Sequence, residues 1–229
     1  MDGEDSMNID RQLIRIDMLR IPSIAIAPAS PRAALLVVHG YGGCKEEQLG
    51  LAWRIAEIGF ATYAIDLRGH GENELPLDGN VLEDVQTAVR HFRPFGDVVV
   101  IGHSLGARLG LLSDADYKIG ISPALGREFS AQTQRLITEM RSHRVREVSP
   151  GINFDALNHL PVWKPVETSN ALLLYGSRDV PEIITSCEGA KRDGVDVVRI
   201  DHALHSDIFL NGETIGRITT QLKHWFKMD

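Results

Sequence analysis

Six short stretches, at 33–38, 61–65, 98–101, 119–121, 171–174 and 195–200, are almost uninterruptedly apolar. A strand that is apolar on both faces has to be covered on both faces. Helical patterns run between most of these stretches. Val81, Leu82, Val85, Ala88, Val89 and Phe92 recur at helical spacing, as do Ile215, Ile218, Leu222, Trp225 and Phe226, and 46–58 reads as a helix stopped by Gly59. Strand and helix in alternation predict an α/β architecture, a mostly parallel central sheet with helices on both faces. Upstream, 13–19 and 24–27, with Pro22 between them, alternate imperfectly and predict an antiparallel pair at a sheet edge. Residues 1–8 read as a flexible tail and 9–229 as a single domain. Within it, 122–168 breaks the alternation: it has no strand pattern, carries Gly126, Pro150, Gly151, Pro161 and Pro165, and holds a helical piece around 128–146. Connections inside a compact sheet usually run ~2–6 residues, so this segment is expected to be a short helical lid insertion.

Composition narrows the function classes. The 229 residues are 43% hydrophobic and 24% charged, which excludes disorder along the whole length. A net charge of -7 argues against nucleic acid and against an anionic membrane surface as partners. The acidic start, Met1 to Met7, lacks the basic and apolar regions of a signal peptide, and no apolar run approaches the ~18 residues of a membrane span. Cys44 and Cys187 are too few for a disulfide framework and read as free thiols. A cytoplasmic protein is the expectation.

The chemistry-bearing motif is Val98-Val99-Val100-Ile101-Gly102-His103-Ser104-Leu105-Gly106, an apolar strand entering Gly-x-Ser-x-Gly, followed by an apolar helical segment. Glycines on either side let backbone and helix approach without a Cβ, so the serine sits on a sharp turn with its hydroxyl exposed at a helix start. A second strand ends in His39-Gly40-Tyr41-Gly42-Gly43. The Tyr41 amide in that glycine-rich loop, paired with the Leu105 amide, would form an oxyanion hole. His39 itself reads as a structural pin of the loop. A third loop, Asp66-Leu67-Arg68-Gly69-His70-Gly71, carries charges that read as loop-holding hydrogen bonds and pairs. Metal-ligand spacing and nucleotide-loop fingerprints are not met, so neither metal nor cofactor is expected.

On these three motifs, each after a strand, the chain resembles the α/β-hydrolase superfamily, most closely its monoglyceride-lipase or serine-aminopeptidase-like branch of small esterases. The resemblance covers about residues 20–227, with 122–168 in the place of the family's cap insertion. It implies the α/β-hydrolase fold and a triad in the chain order nucleophile, acid, histidine. Ser104 is then the nucleophile, and Asp179, in Gly176-Ser177-Arg178-Asp179-Val180-Pro181, is the acid. For the base there are two candidates, His202 and His205; His205-Ser206-Asp207 matches the family pattern better.

Those roles predict a serine hydrolase that cleaves a small carboxylic ester through an acyl-enzyme. A non-catalytic ligand-binding member of the fold, or a triad enzyme acting on amides, thioesters or carbon–carbon bonds, is the alternative. The expected partner is a small-molecule acyl substrate, and oligomeric state is left open. Leu136, Ile137, Met140, Ile152, Phe154, Leu157, Leu160 and Trp163 either line an acyl pocket or bury the insertion against the body. Arg135, Arg141, Arg144 and Arg146, against the single acid Glu139, make a local positive patch, read chiefly as a solvated helix face.

Overall fold

A computed structural model describes residues 6–149, 151–164 and 170–228. The expected tail at 1–8 mostly falls outside these, as do Pro150 and Pro165 of the insertion. Asn8, expected in the tail, already belongs to a strand.

Eight strands form one sheet: β1 Asn8–Ile16, β2 Leu19–Ala27, β3 Ala34–Val38, β4 Ala61–Ile65, β5 Val98–His103, β6 Tyr117–Ile121, β7 Ala171–Arg178 and β8 Asp196–Leu204. Their spatial order is β1-β2-β4-β3-β5-β6-β7-β8. β1 pairs antiparallel with β2, and β2 with β4; every other pairing is parallel. The edge hairpin turns at Asp17 and Met18 rather than at Pro22, which lies inside β2. Pro22 is tolerated there because its carbonyl still accepts from the Asp66 amide at 2.9 Å, while the Asp66 carbonyl, which a proline cannot serve, takes the Asn73 side-chain amide at 3.1 Å.

Why the buried strands lack polar alternation is visible in their two faces. Leu36 and Val38 of β3 and Val98 and Val100 of β5 pack on one side. Leu35, Val37, Val99 and Ile101 pack on the other. The first face is covered by α2 (Leu82–Phe92), α3 (Leu105–Leu112) and α6 (Pro181–Arg192). The second is covered by α1 (Leu49–Ala56) and α7 (Gly212–Trp225). The predicted helix at 46–58 resolves into a 3-10 turn at Lys45–Gln48 followed by α1. Helix α6 was not expected from the sequence: its apolar positions Ile183, Cys187 and Ala190 are few and spaced among polar residues.

In the segment 122–168, α4 (Ala131–Arg141) is shorter than the expected 128–146, and α5 (Ile152–His159) follows it. Its apolar residues divide between the two expected uses. Leu157 and Leu160 join the core beneath, Trp163 packs on the β7 side, and Leu136 and Met140 stay more than half exposed. A short parallel bridge, Leu77 to Glu147, ties the segment to the loop after β4. No helix among the described residues is long and apolar enough to cross a membrane.

Candidate active site

Strand order reverses between β3 and β5, and the loops at their carboxyl ends diverge there, leaving a crevice. The loop 39–43 leaves β3 and the turn at Ser104 leaves β5, so the two glycine motifs become neighbours only through the sheet. Ser104 holds φ 54 and ψ −112, a strained conformation for a residue with a side chain. The surrounding glycines enforce it: a Cβ on Gly102 would lie 2.3 Å from the Gly106 backbone, and one on Gly106 would lie 2.4 Å from the His39 carbonyl oxygen. Ser104 is therefore raised above the strand ends at the start of α3.

β5, β6, β7 and β8 lie side by side, and their carboxyl ends deliver Ser104, Ser122, Asp179 and His205 in that order. The His205 ring stands with Nε2 3.1 Å from Ser104 Oγ and Nδ1 2.8 Å from Asp179 Oδ1. Asp179 Oδ1 also accepts from the Val180 amide at 2.7 Å, and Oδ2 accepts from Ser122 Oγ and from the Gly176 amide. Burial by itself would raise this carboxyl, but hydrogen bonding to His205, Ser122 and Val180 wins and holds it below the ordinary carboxylate range. An ionised carboxylate only accepts, so Nδ1 of His205 carries the ring proton and Nε2 presents its lone pair to the serine hydroxyl. His202, the other candidate base, is exposed; its amide donates to Ser177 Oγ at 2.8 Å.

At the crevice wall, the Gly42 amide donates to His70 Nε2 at 3.0 Å and the Gly43 amide to the Gly40 carbonyl at 3.0 Å. The Tyr41 amide donates to no acceptor among the described residues. Leu105 opens α3, where an amide has no intrahelical acceptor. These two are the amides named from the sequence.

Several histidines turn out to be structural pins. His39 Nδ1 donates to the Gly40 carbonyl at 2.7 Å, and its Nε2 accepts from the Leu67 amide at 3.2 Å. His70 Nδ1 donates to the Arg68 carbonyl at 2.9 Å. Together they stitch the loop after β3 to the loop after β4. His103 donates from Nε2 to the backbone carbonyl of His205 at 2.8 Å. Burial is the main reason all three stay neutral, with values lowered to about 4 for His39 and about 3 for His70 and His103.

His70 and His103 lie inside the quoted motifs, but nothing in those motifs assigns their rings a pinning role, and Ser122 lies in none of them. The one signal for Ser122 is that it follows an apolar strand, as Ser104 does, which is too common to single it out. Asp66 and Arg68 hold their loop with other partners than each other: Asp66 with Lys45 Nζ at 2.6 Å, Arg68 with Asp84 at 2.8 Å. Cys44 and Cys187 are both free. Burial, foremost, pushes the Cys44 thiol above its ordinary value, which makes it a poor nucleophile.

Ser104, Asp179 and His205 face a cleft of about 1470 Å³ whose walls include Phe129, Leu136, Ile137, Met140, Phe154 and Leu157. Of these, Leu136, Ile137 and Met140 belong to α4, Phe154 and Leu157 to α5, and Phe129 to the irregular stretch that leads into α4.

Compared with known proteins, residues 35–182 match the model of the Alpha/beta hydrolase family. No curated protein matches the chain by sequence. Among solved structures, TT1662 from Thermus thermophilus superposes with a TM-score of 0.65 at 22% identity, over 98% of this chain and 100% of that one. An esterase from Pyrobaculum calidifontis gives 0.69 at 20%, over 95% and 86%. A soluble variant of monoglyceride lipase from Saccharomyces cerevisiae, in complex with a substrate analog, gives 0.67 at 14%, over 99% and 97%. These likenesses concern the fold.

Proposed function

Because the chain belongs to the Alpha/beta hydrolase family, we propose that it is a serine hydrolase that cleaves carboxylic esters of small, partly apolar molecules. The observation that carries this reading is the continuous hydrogen-bonded line Ser104–His205–Asp179 at the floor of an apolar-walled cleft. In it, Ser104 Oγ attacks the ester carbonyl carbon while His205 Nε2 takes the hydroxyl proton. Asp179 orients the ring and stabilises its cationic form. The carbonyl oxygen becomes an oxyanion that accepts from the amides of Tyr41 and Leu105; losing one such donor costs about 2.7–4 kcal/mol of barrier.

The tetrahedral adduct collapses as the C–O bond to the alcohol breaks, and His205 gives its proton to the departing alkoxide. Water then attacks the acyl-enzyme with His205 again accepting a proton, and the acid leaves as Ser104 is regenerated. Esters are favoured because an alkoxide leaves more readily than an amide nitrogen. The segment holding α4 and α5 serves as a lid over this cleft. The two unpaired thiols favour a reducing, cytoplasmic setting.

A fluorophosphonate probe is expected to label folded wild-type protein at Ser104 and to leave Ser104→Ala unlabelled. The same substitution is expected to lower turnover of p-nitrophenyl esters by roughly ten-thousandfold or more. An unlabelled wild type, or ester turnover that survives Ser104→Ala, overturns the proposal. Faster turnover of aminoacyl amides than of esters would move the reading to the amide alternative.

A further inference from the structure

The cleft beside Ser104 also contains a cation without a partner. The four arginines between 135 and 146 meet different fates. Arg144 pairs with Glu47 at 2.5 Å. Arg146 donates to the carbonyls of His70 and Asn73. Arg135 is exposed on α4, away from the cleft lining. Arg141 is half-buried, lines the cleft together with Ser104 and Tyr41, and makes no ion pair or hydrogen bond with any described residue.

Its stem lies across the oxyanion loop: a Cβ on Gly42 would come within 2.7 Å of Arg141 Cβ and 3.0 Å of its Cδ. Gly42 is next in sequence to Tyr41, so the stem of Arg141 is anchored beside one of the two free amides. Its charge also reaches His103, where it adds to the effects of burial and of His205. A cation in the last turn of α4 answers the helix dipole, but that role asks only for charge near the helix end and does not require a stem folded over Gly42.

The acidic side chains of the cleft do not neutralise it. Glu47 is held by Arg144, Asp179 by His205 and Ser122, and Glu182 by the Ser130 amide and Thr133. Glu128, Arg127 and Arg178 line the cleft too but are exposed to water, and Arg127 donates to the Leu160 carbonyl at 3.3 Å. With its stem packed and no acceptor among the described residues, the side chain leaves its planar fork open, and that fork fits a carboxylate with two parallel bonds. Of the three arginines that line the cleft among the described residues, Arg141 alone is half-buried, and one guanidinium matches one carboxylate.

We infer that Arg141 binds a carboxylate of the substrate, so that the preferred esters are half-esters of dicarboxylic acids, a conclusion that rests on the serine-hydrolase reading above. Specificity is then set by two features at once: apolar walls for the chain and Arg141 for its far end.

The test compares mono-p-nitrophenyl glutarate with p-nitrophenyl valerate, which share chain length and leaving group. Wild type is expected to favour the glutarate in kcat/KM. Arg141→Gln is expected to lower the glutarate-to-valerate ratio roughly tenfold or more, mainly through KM. Arg141→Lys keeps the charge without the fork and gives an intermediate ratio, while Arg135→Gln leaves the ratio where it was. Raising salt lowers the ratio in wild type and not in Arg141→Gln. Because the ratio is taken within each variant, a smaller folded fraction cancels from it. Ser104-dependent turnover with a ratio indifferent to Arg141→Gln overturns the carboxylate subsite alone. Absence of Ser104-dependent turnover on both esters overturns the hydrolase reading, and the subsite with it.

Discussion

Asp179 shows how much a buried carboxylate depends on its neighbours. Its side chain is fully withdrawn from solvent, and four donors surround it, from His205, Ser122, Val180 and Gly176. Ser122 is the one whose loss is informative. It already holds a positive φ of 47, so alanine adds no new backbone strain there. Ser122→Ala removes a charge-assisted donor and leaves one oxygen of Asp179 underserved, which costs about 1–3 kcal/mol of stability. The expected outcome is a lower urea midpoint together with a several-fold drop in kcat at nearly constant KM, because the base loses orientation while the cleft walls stay in place. An unchanged kcat would mean that the remaining three donors suffice.

At the level of elements, the segment carrying α4 and α5 is held at both of its stems by one side chain. Arg108, on the buried face of α3, donates from Nη1 to the Leu125 carbonyl and from Nη2 to the Pro161 carbonyl at 2.5 Å. It has no carboxylate partner among the described residues, and burial, reinforced by Arg127, lowers its value to about 10. A buried cation without a counter-ion is unfavourable on its own account, so its place here is explained by what it ties together. Arg108→Met keeps much of the stem volume and removes both donors. Limited trypsin digestion is expected to cut at Arg127, Arg135, Arg141, Arg144 and Arg146 several-fold faster than in wild type. Equal cutting rates would show that the stems are secured by other contacts.

Across the whole molecule, three neutral buried histidines link folding to pH. His39, His70 and His103 take up a proton near 6.5 when unfolded, but only near about 4, 3 and 3 in the fold. In the window between, the unfolded chain binds more protons, so stability falls as pH falls. Asp179 adds to the same trend at the acid end: its depressed value contributes stability that is lost as pH drops through it. Urea midpoints measured from about pH 7 to pH 5 are expected to decrease steadily, with a slope approaching ~4 kcal/mol per pH unit if all three histidines stay neutral. A His70→Gln variant, which keeps polar atoms in the site without titrating, is expected to flatten that slope. A midpoint that is level or rising toward pH 5 would contradict the placement of these rings.

Local chemistry alone determined the strands, because residues apolar on both faces have one way to be buried, and it determined the serine turn, because Gly102 and Gly106 are read directly from their spacing. Alternation likewise announced the helices that carry strong periodicity, such as α2 and α7, while α6, with a weak apolar face, went unseen. Which imidazole reaches Ser104 is half-legible in the sequence, and the tertiary structure brings His205 to 3.1 Å from the serine hydroxyl. His202 and His205 lie three positions apart at the end of β8, and strand alternation does not say which ring turns inward; the resemblance of His205-Ser206-Asp207 to the family pattern favours His205. Hidden altogether were the pins supplied by Ser122, His70 and His103, and the unpaired state of Arg141. Each depends on where strands β3 to β8 end relative to one another, and that is a property of the closed sheet, absent from any stretch of chain taken singly.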